Sequence, residues 1–205
     1  MRLGQKAMET LRAEVGELLR PGDALVVVGE IALKGTSLIA EAEYGSLRTY
    51  FSEGFLRDCV QIFDKYGIKE DAVEDFAKKA KEAGCSACFA MGEGGFLSAL
   101  WKVAEASQTG LRVDLRKIPI RQETIEICER FDINPYRLFS KGAVLLGMPG
   151  GHSFVQECRQ QGLSAAVIGQ TDSGNDRLLF SGSNARFLER PAEDELRGVL
   201  KEWQN

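Results

Sequence analysis

Apolar and polar residues follow two different periods along the chain, and these periods predict helices and strands in interspersed order. Where apolar residues recur every three or four positions we expect an amphipathic helix, and where they alternate or run together briefly we expect a strand. The pattern predicts helices at residues 2–19, 33–42, 53–66, 69–83, 121–131, 152–160 and 191–203, and a further helix that begins near Gly94 or Gly95 and continues through the apolar-periodic run at residues 97–106. It predicts strands at residues 24–28, 85–91, 111–115, 143–148, 165–170, 177–181 and 187–188.

The order of these elements does not repeat regularly as strand, helix, strand. Residues 165–170 and 177–181 flank the turn-rich segment 172–176, so they predict a β-hairpin. Interspersed elements together with a hairpin indicate an α/β (α+β) fold in which helices cover a mixed β-sheet. We expect one domain over residues 21–205, preceded by an amphipathic helix within residues 1–20.

The most informative stretch runs from Cys85 to Phe96 and reads as a strand followed by a glycine turn and a helix. Gly92, Gly94 and Gly95 permit backbone angles closed to other residues. The first N–H groups of the following helix have no partner within the helix and form its positive end, which suits a phosphate. A tight turn without a ligand fits the same residues, because the loop lacks the Lys-Ser/Thr ending of a P-loop.

Three other side chains are open to a chemical and a structural interpretation. Glu93 could orient a ligand or act as a base, or its charge could simply stabilise the helix N-terminus. Cys85 and Cys88 have the spacing of a redox pair or of half a zinc site, but on a strand they would point to opposite faces, as buried and inert thiols. His152 is the only histidine, so no metal site is expected, and a surface or capping role is favoured over catalysis.

Composition excludes several classes of partner. The net charge is −4 and the pI is near 5.3, which argues against a nucleic-acid-binding face. No signal peptide is recognisable, and no apolar run approaches the ~20 residues that span a membrane. The five cysteines do not form a disulfide framework, so we expect a cytoplasmic protein.

Five motifs in a fixed order carry a family resemblance. They are Glu93–Ser107, Val113–Cys128, Ile133–Tyr136, Ala166–Gly169 and Asn184–Leu196. Over residues 20–200 the chain resembles the C-terminal domain of the AIR synthase-related family, and within it the hydrogenase expression/formation (maturation factor) branch. The resemblance implies an α/β/α layered domain. It also implies a pocket for ATP or another phosphate ligand, lined by Gly92, Glu93, Gly94, Gly95, Asn134, Ser140 and Gly142.

The chain departs from the family pattern in two respects. Family members carry an N-terminal domain that supplies the metal- and ATP-binding Asp and Lys residues, whereas only about twenty residues precede Pro21 here. The family loop usually reads Asp-x-Thr-Glu-Gly-Gly, but Ala90 and Gly92 stand in place of the Asp and the Thr. Because Mg²⁺ prefers carboxylate oxygens, Mg²⁺ binding is not expected.

These departures lead to two hypotheses about function. The first is a stand-alone module that binds a phosphate, a nucleotide or a partner and has no independent ATP-dependent catalysis. The alternative is one half of a split ATP-dependent hydrogenase-maturation or purine-type enzyme, whose partner protein supplies the missing domain. In either case the helix at residues 2–19 would cover surface left bare by that domain, within one chain or across a homodimer.

Overall fold

A computed structural model describes residues 3–201 and 203, apart from the side chains of residues 70, 71 and 74. The helices are α1 (Gln5–Val15), α2 (Leu33–Ala42), α3 (Tyr44–Leu47), α4 (Glu53–Tyr66), α5 (Glu70–Glu82), α6 (Gly95–Ser107), α7 (Gln122–Phe131), α8 (His152–Gln160) and α9 (Leu196–Val199). The strands are β1 (Ala24–Val28), β2 (Ala87–Ala90), β3 (Gly110–Asp114), β4 (Val144–Met148), β5 (Ala165–Asp172), β6 (Arg177–Ser181) and β7 (Asn184–Phe187). Short 3-10 helices lie at Leu115–Lys117 and Pro135–Arg137.

The strands form one mixed sheet in the order β2-β4-β1-β5-β3-β6-β7. Strand β1 is buried at every position and lies antiparallel between β4 and β5. The pair β3–β6 is parallel, and the other neighbouring pairs are antiparallel. The mixed sheet expected from the sequence is therefore confirmed.

Alternate residues of β1 face two separate hydrophobic cores, as the two-residue period of a strand requires. Leu25 and Val27 belong to the larger core, which includes residues of α2, α4, α6 and α7. Val26 and Val28 belong to the smaller core, where Phe76 of α5 packs edge-on against Phe154 of α8. Helices thus cover both faces of the sheet, which confirms the α/β/α layering.

The predicted hairpin between residues 165–170 and 177–181 is wrong. Strand β3 lies between these two strands, antiparallel to β5 and parallel to β6. The hairpin is instead formed by β6 and β7 around the turn at residues 181–184. The segment at residues 172–176 has turn chemistry, but it carries the chain over the end of β3 rather than into a neighbouring strand.

The ends of the chain are less helical than their apolar pattern predicts. Helix α1 stops at Val15 because Gly16 adopts a left-handed conformation at φ 74°, so the predicted helix at residues 2–19, of which residue 2 lies outside the described part, extends too far at its C-terminal end. Only Leu196–Val199 is helical within the predicted helix at residues 191–203, of which residue 202 lies outside the described part. The last strand is Asn184–Phe187 rather than residues 187–188.

No helix in the described part of the chain is long and apolar enough to cross a lipid bilayer.

Candidate functional site

The glycine loop joins the end of β2 to the start of α6. Gly94 and Gly95 have φ angles of 75° and 64°, which are left-handed values that favour glycine. The Gly95 N–H donates to the Gly92 carbonyl over 3.2 Å and closes the turn. A Cβ on Gly95 would lie 2.6 Å from the Leu138 oxygen and 2.8 Å from the Tyr136 oxygen. Glycine is therefore required here for packing as well as for backbone conformation.

A buried carboxylate, that of Asp194, accepts the hydrogen bond of the Gly94 N–H in the loop. Asp194 is 2% exposed, and its two oxygens accept hydrogen bonds from the N–H groups of Gly94 (2.6 Å), Leu196 (2.9 Å) and Phe139 (3.1 Å). Burial raises the pKa of the Asp194 carboxyl above its ordinary value, although these three donors act in the opposite direction. The amide that the sequence assigns to a phosphate thus holds an anion that belongs to the chain itself.

Glu93 also contacts the C-terminal part of the chain. Its Oε1 accepts from Nη2 of Arg197 over 2.7 Å and from Nε over 3.1 Å, and both side chains are partly exposed. We call residues 189–197 the strap. Its residues 189–193 are exposed, and it contacts the glycine loop through Asp194 and Arg197.

Ser98 presents an unused hydroxyl one turn into α6. The residue is 5% exposed, and within the described part of the chain its Oγ forms no hydrogen bond. Four residues later Lys102 extends from the same helix and donates to Oε1 of Glu14 over 2.7 Å. Ser98 and Lys102 line a cavity of about 290 Å³ together with Ala90 and Gly92.

A second cavity adjoins the first at Ala90 and Gly92. It measures about 530 Å³ and extends past Met91 to Gly142 and Val144. We call the two cavities together the groove. At Gly92 the groove is open, because a Cβ built there would meet no atom within 4 Å.

The structure brings some of the predicted site residues together and separates others. Gly92 and Gly142 both line the larger cavity. The Ser140 N–H donates to the Gly92 carbonyl over 3.1 Å, but its side chain is fully buried and bonds to the Leu138 oxygen and the Ala32 N–H. Asn134 caps the 3-10 helix that follows it by accepting from the Tyr136 N–H. The Ser140 hydroxyl is thus bonded to the backbone of the chain itself and the Asn134 Oδ1 to its own turn, and a phosphate role for these two residues stays a prediction.

The sequence singled out neither Asp194 nor Ser98 as a site residue. Both lie within the motifs that carry the family resemblance, so the relevant segments were identified while the contacts were not. Asp194 is 100 residues away from Gly94 along the chain, and only the fold brings the two together. Ser98 looks like an ordinary small residue on the buried face of a helix.

The two cysteines of the Cys-x-x-Cys spacing lie against the same core. Both pack on the smaller core, so the prediction that they point to opposite faces is wrong, because Cys85 precedes the first residue of β2. The Cys85 thiol donates to the Ala87 carbonyl over 2.8 Å. Among the described residues, no cluster of three or more His, Cys, Asp or Glu side chains is placed to hold a metal ion. His152 begins α8 and is exposed.

We expect both thiols to react slowly in the native protein. Burial raises the pKa of Cys85 to about 11 and that of Cys88 to about 12. At pH 8 only about one Cys85 thiol in a thousand is then ionised, and the thiolate is the reactive form. Titration with a chromogenic disulfide at pH 8 should show both thiols reacting at least about a hundredfold faster after unfolding. Rapid reaction of the pair in the native state would instead support a redox role.

Comparison with known proteins identifies the family. The model described as AIR synthase related protein, C-terminal domain, matches residues 20–180. The chain is 23% identical over 185 residues to a carbamoyl dehydratase HypE of Rhodobacter capsulatus, covering 87% of this chain and 51% of that protein. It is 30% identical over 169 residues to a phosphoribosylformylglycinamidine synthase subunit PurL of Methanopyrus kandleri, covering 80% and 22% respectively.

A solved structure supports the fold. The crystal structure of a hydrogenase maturation protein HypE in complex with ATP superimposes with a TM-score of 0.61 at 16% identity, covering 88% of this chain and 54% of that one. The chain spans about half the length of this HypE structure and of the HypE relative, and a smaller share of PurL. The family expected from the five motifs is confirmed, and the chain belongs to the AIR synthase-related proteins through a C-terminal domain of that family.

Proposed function

We propose that this domain is a binding module that takes a phosphate-bearing small molecule, with ATP as the leading candidate, in the groove beside Gly92. The observation that carries the proposal is Ser98, a residue that is 5% exposed, lines the wall of the open groove, and has a hydroxyl with no hydrogen bond to the described part of the chain. A hydroxyl held there without a partner is ready to bond a ligand. The HypE structure with ATP supports a nucleotide as the ligand class.

We further propose that the module does not carry out ATP-dependent catalysis by itself. Ala90 and Gly92 supply neither a carboxylate nor a hydroxyl at the positions where the family loop carries them. The two carboxylates that line the smaller cavity, Glu14 and Glu93, are each paired with a cation. Magnesium bound to a nucleotide needs oxygen ligands, so this donor set suits a metal-free phosphate better than Mg²⁺-ATP.

A second candidate function is one half of a split ATP-dependent enzyme. The observation that favours it is coverage, since the chain corresponds to about half of the HypE relative. In this arrangement the ligands for Mg²⁺ and the triphosphate would come from another polypeptide or from a further region of the protein, and that part would close over the groove. A homodimer is a simpler arrangement in which a second copy would cover the same surface.

Binding of ATP separates these functions. We expect the chain alone to bind ATP, with the same affinity in the presence and absence of Mg²⁺, and to bind adenosine far more weakly. Amide chemical shifts should change most at Gly92 and Ser98 during an NMR titration. Ser98→Ala should weaken ATP binding about three- to tenfold, the value of one neutral hydrogen bond.

Two lysine variants test whether the positive charge that lines the groove contributes to ATP binding. Lys102→Ala removes a cation that lines the groove, whereas Lys117→Ala removes an exposed cation at the end of a 3-10 helix. Only the first should reduce ATP affinity. Equal losses would show that binding depends on overall charge, and binding that requires Mg²⁺ would favour the split enzyme.

A further inference from the structure

We propose that the start of α6 is an oxyanion site for a phosphoryl group, and that Asp194 of the strap is its built-in occupant. A phosphoryl ligand would take the N–H groups of Gly94 and Phe139 and the Ser98 hydroxyl after the strap moves away. This proposal rests on the proposed function, because it names the chemistry and the control of the same glycine loop. It differs in placing the phosphoryl group under the strap rather than in the open groove.

The position of Asp194 shows that an oxyanion fits this site. Its Oδ2 lies 2.6 Å from the Gly94 nitrogen and its Oδ1 lies 3.1 Å from the Phe139 nitrogen, so two oxygens of one anion are held at the same time. Gly94 is the N-cap of a 13-residue helix, where the positive end of the dipole favours an anion. A phosphoryl group has the same bond-accepting oxygens and more negative charge.

The Ser98 hydroxyl supplies a donor that Asp194 does not use. A Cβ on Gly94 would lie 2.9 Å from Ser98 Oγ, so the hydroxyl lies directly against the Gly94 Cα. It remains unbonded within the described residues while the strap is in place. Among the residues that the structure describes, the two Asp194 oxygens accept from three backbone N–H groups and from no side chain, whereas a phosphoryl group has at least one further oxygen that could accept from Ser98 while the others accept from the two amides.

Two arginines extend the positive surface under the strap. Arg137 and Arg186 line a small cavity of about 10 Å³ that Gly94 and Ser98 also border and that strap residues cover. Arg137 donates to Glu189 of the strap over 3.4 Å. The strap therefore places a carboxylate on the amides and a second carboxylate on an arginine, and a dianionic phosphoryl group would replace both.

The strap combines exposed contacts with the buried bonds of Asp194. Its ion pair between Arg197 and Glu93 is solvent-exposed, and such pairs contribute little to stability. Its residues 189–193 are exposed, and Leu196 is its fully buried anchor. If the strap is open only part of the time, apparent affinity for phosphate is reduced by that open fraction. Removing the Asp194 carboxylate should therefore raise phosphate affinity.

The test compares Asp194→Ala with Glu193→Ala, which removes the same charge from the adjacent, exposed strap position. Inorganic phosphate is titrated into each full-length variant by calorimetry at constant ionic strength. Asp194→Ala should bind phosphate about tenfold more tightly than the wild type, and Glu193→Ala should match the wild type. Adding Ser98→Ala to Asp194→Ala should lower phosphate affinity severalfold. No difference between Asp194→Ala and Glu193→Ala would overturn the proposal.

Two further measurements keep the outcomes distinct. If Asp194→Ala does not fold, Asp194→Asn keeps the shape but turns an amide donor towards Gly94 or Phe139, and the same gain in phosphate affinity is expected. ATP binding by the wild type in the groove, without a gain in either variant, overturns the oxyanion site alone. A gain in the variants, with no ATP binding in the wild-type groove, supports the oxyanion site and overturns the proposed function.

Discussion

Replacing Gly95 with alanine is expected to destabilise the protein by at least about 3 kcal/mol. The φ angle of 64° is unfavourable for any residue with a Cβ. The new Cβ would also lie 2.6–2.9 Å from three backbone atoms of residues 136–138, and a backbone cannot move aside as a flexible side chain can. Those residues lead directly into Phe139, whose N–H binds Asp194. Urea unfolding followed by far-UV circular dichroism measures the effect.

Gly92→Ala is the matched control for Gly95→Ala. Gly92 is outside the left-handed region, and its new Cβ would meet no atom within 4 Å. Its unfolding free energy should stay within about 0.5 kcal/mol of the wild type, the usual range for a surface change. Because the methyl group enters the groove, ATP binding should weaken even though the fold is intact. Equal destabilisation by the two substitutions would contradict the packing described for the loop.

The strongly periodic segments of the sequence specify their own structure. The predicted bounds of β1, α2, α4 and α8 agree with the structure at both ends. In α4 the Ser52 hydroxyl accepts from the Phe55 N–H, which is the local cap that the sequence indicated. These elements depend on spacing and capping within a few residues, and both are visible in a sequence.

Strand pairing depends on contacts between distant parts of the chain. The turn residues between β5 and β6 favoured a hairpin, but β3 buries Leu111 and Val113 in the larger core and takes the place between them. The residues of a turn cannot reveal that β3, which lies 50 or more residues earlier in the sequence, pairs with the edge of β5 that the hairpin would have used. The α/β/α arrangement was accessible only through the family resemblance, which the comparisons confirm.

The candidate site, like the fold, was predictable where it depends on neighbouring residues and not where it depends on contacts between distant residues. The glycine pattern located the turn at residues 92–95 and the start of α6, because a strand-to-helix turn needs such residues locally. The internal anion at Asp194 could not be predicted, since it depends on the path of the strap back across the sheet. Pro191 suggested a continuous helix in that segment. In the structure the segment is not helical at residue 194, and its carboxylate accepts from the distant N–H groups of Gly94 and Phe139.

Deletion of residues 1–19 should have the second large effect and should cause aggregation. Leu11 and Val15 of α1 and the following Leu19 are buried in the larger core. Losing the burial of three such side chains costs roughly 5 kcal/mol, an amount comparable with the whole stability of many domains. Arg12 also donates from Nε to the Ala106 carbonyl at the C-terminal end of α6 over 3.1 Å. Light scattering coupled to size-exclusion chromatography detects the change.

Two single substitutions distinguish the effect of losing one packed side chain from the effect of removing residues 1–19 altogether. Leu19→Ala removes a side chain that is 4% exposed and that packs so closely on β4 that a Cβ on Gly147 would lie within 2.2 Å of it. Its neighbour Leu18 is 39% exposed. Leu19→Ala should cost about 2–4 kcal/mol in unfolding free energy and Leu18→Ala less than about 0.5 kcal/mol.

The deletion also tests whether α1 is part of the binding surface. Glu14 holds Lys102, which lines the groove together with Ser98, so α1 forms one wall of the smaller cavity. If residues 1–19 act only by stabilising the domain, Leu19→Ala should lower the unfolding free energy and leave ATP affinity unchanged at low temperature. The deleted protein could instead keep both its mass in solution and its unfolding free energy. That result would show that α1 is not needed for the stability of the domain, and would leave its contact with Lys102 at the groove as its role.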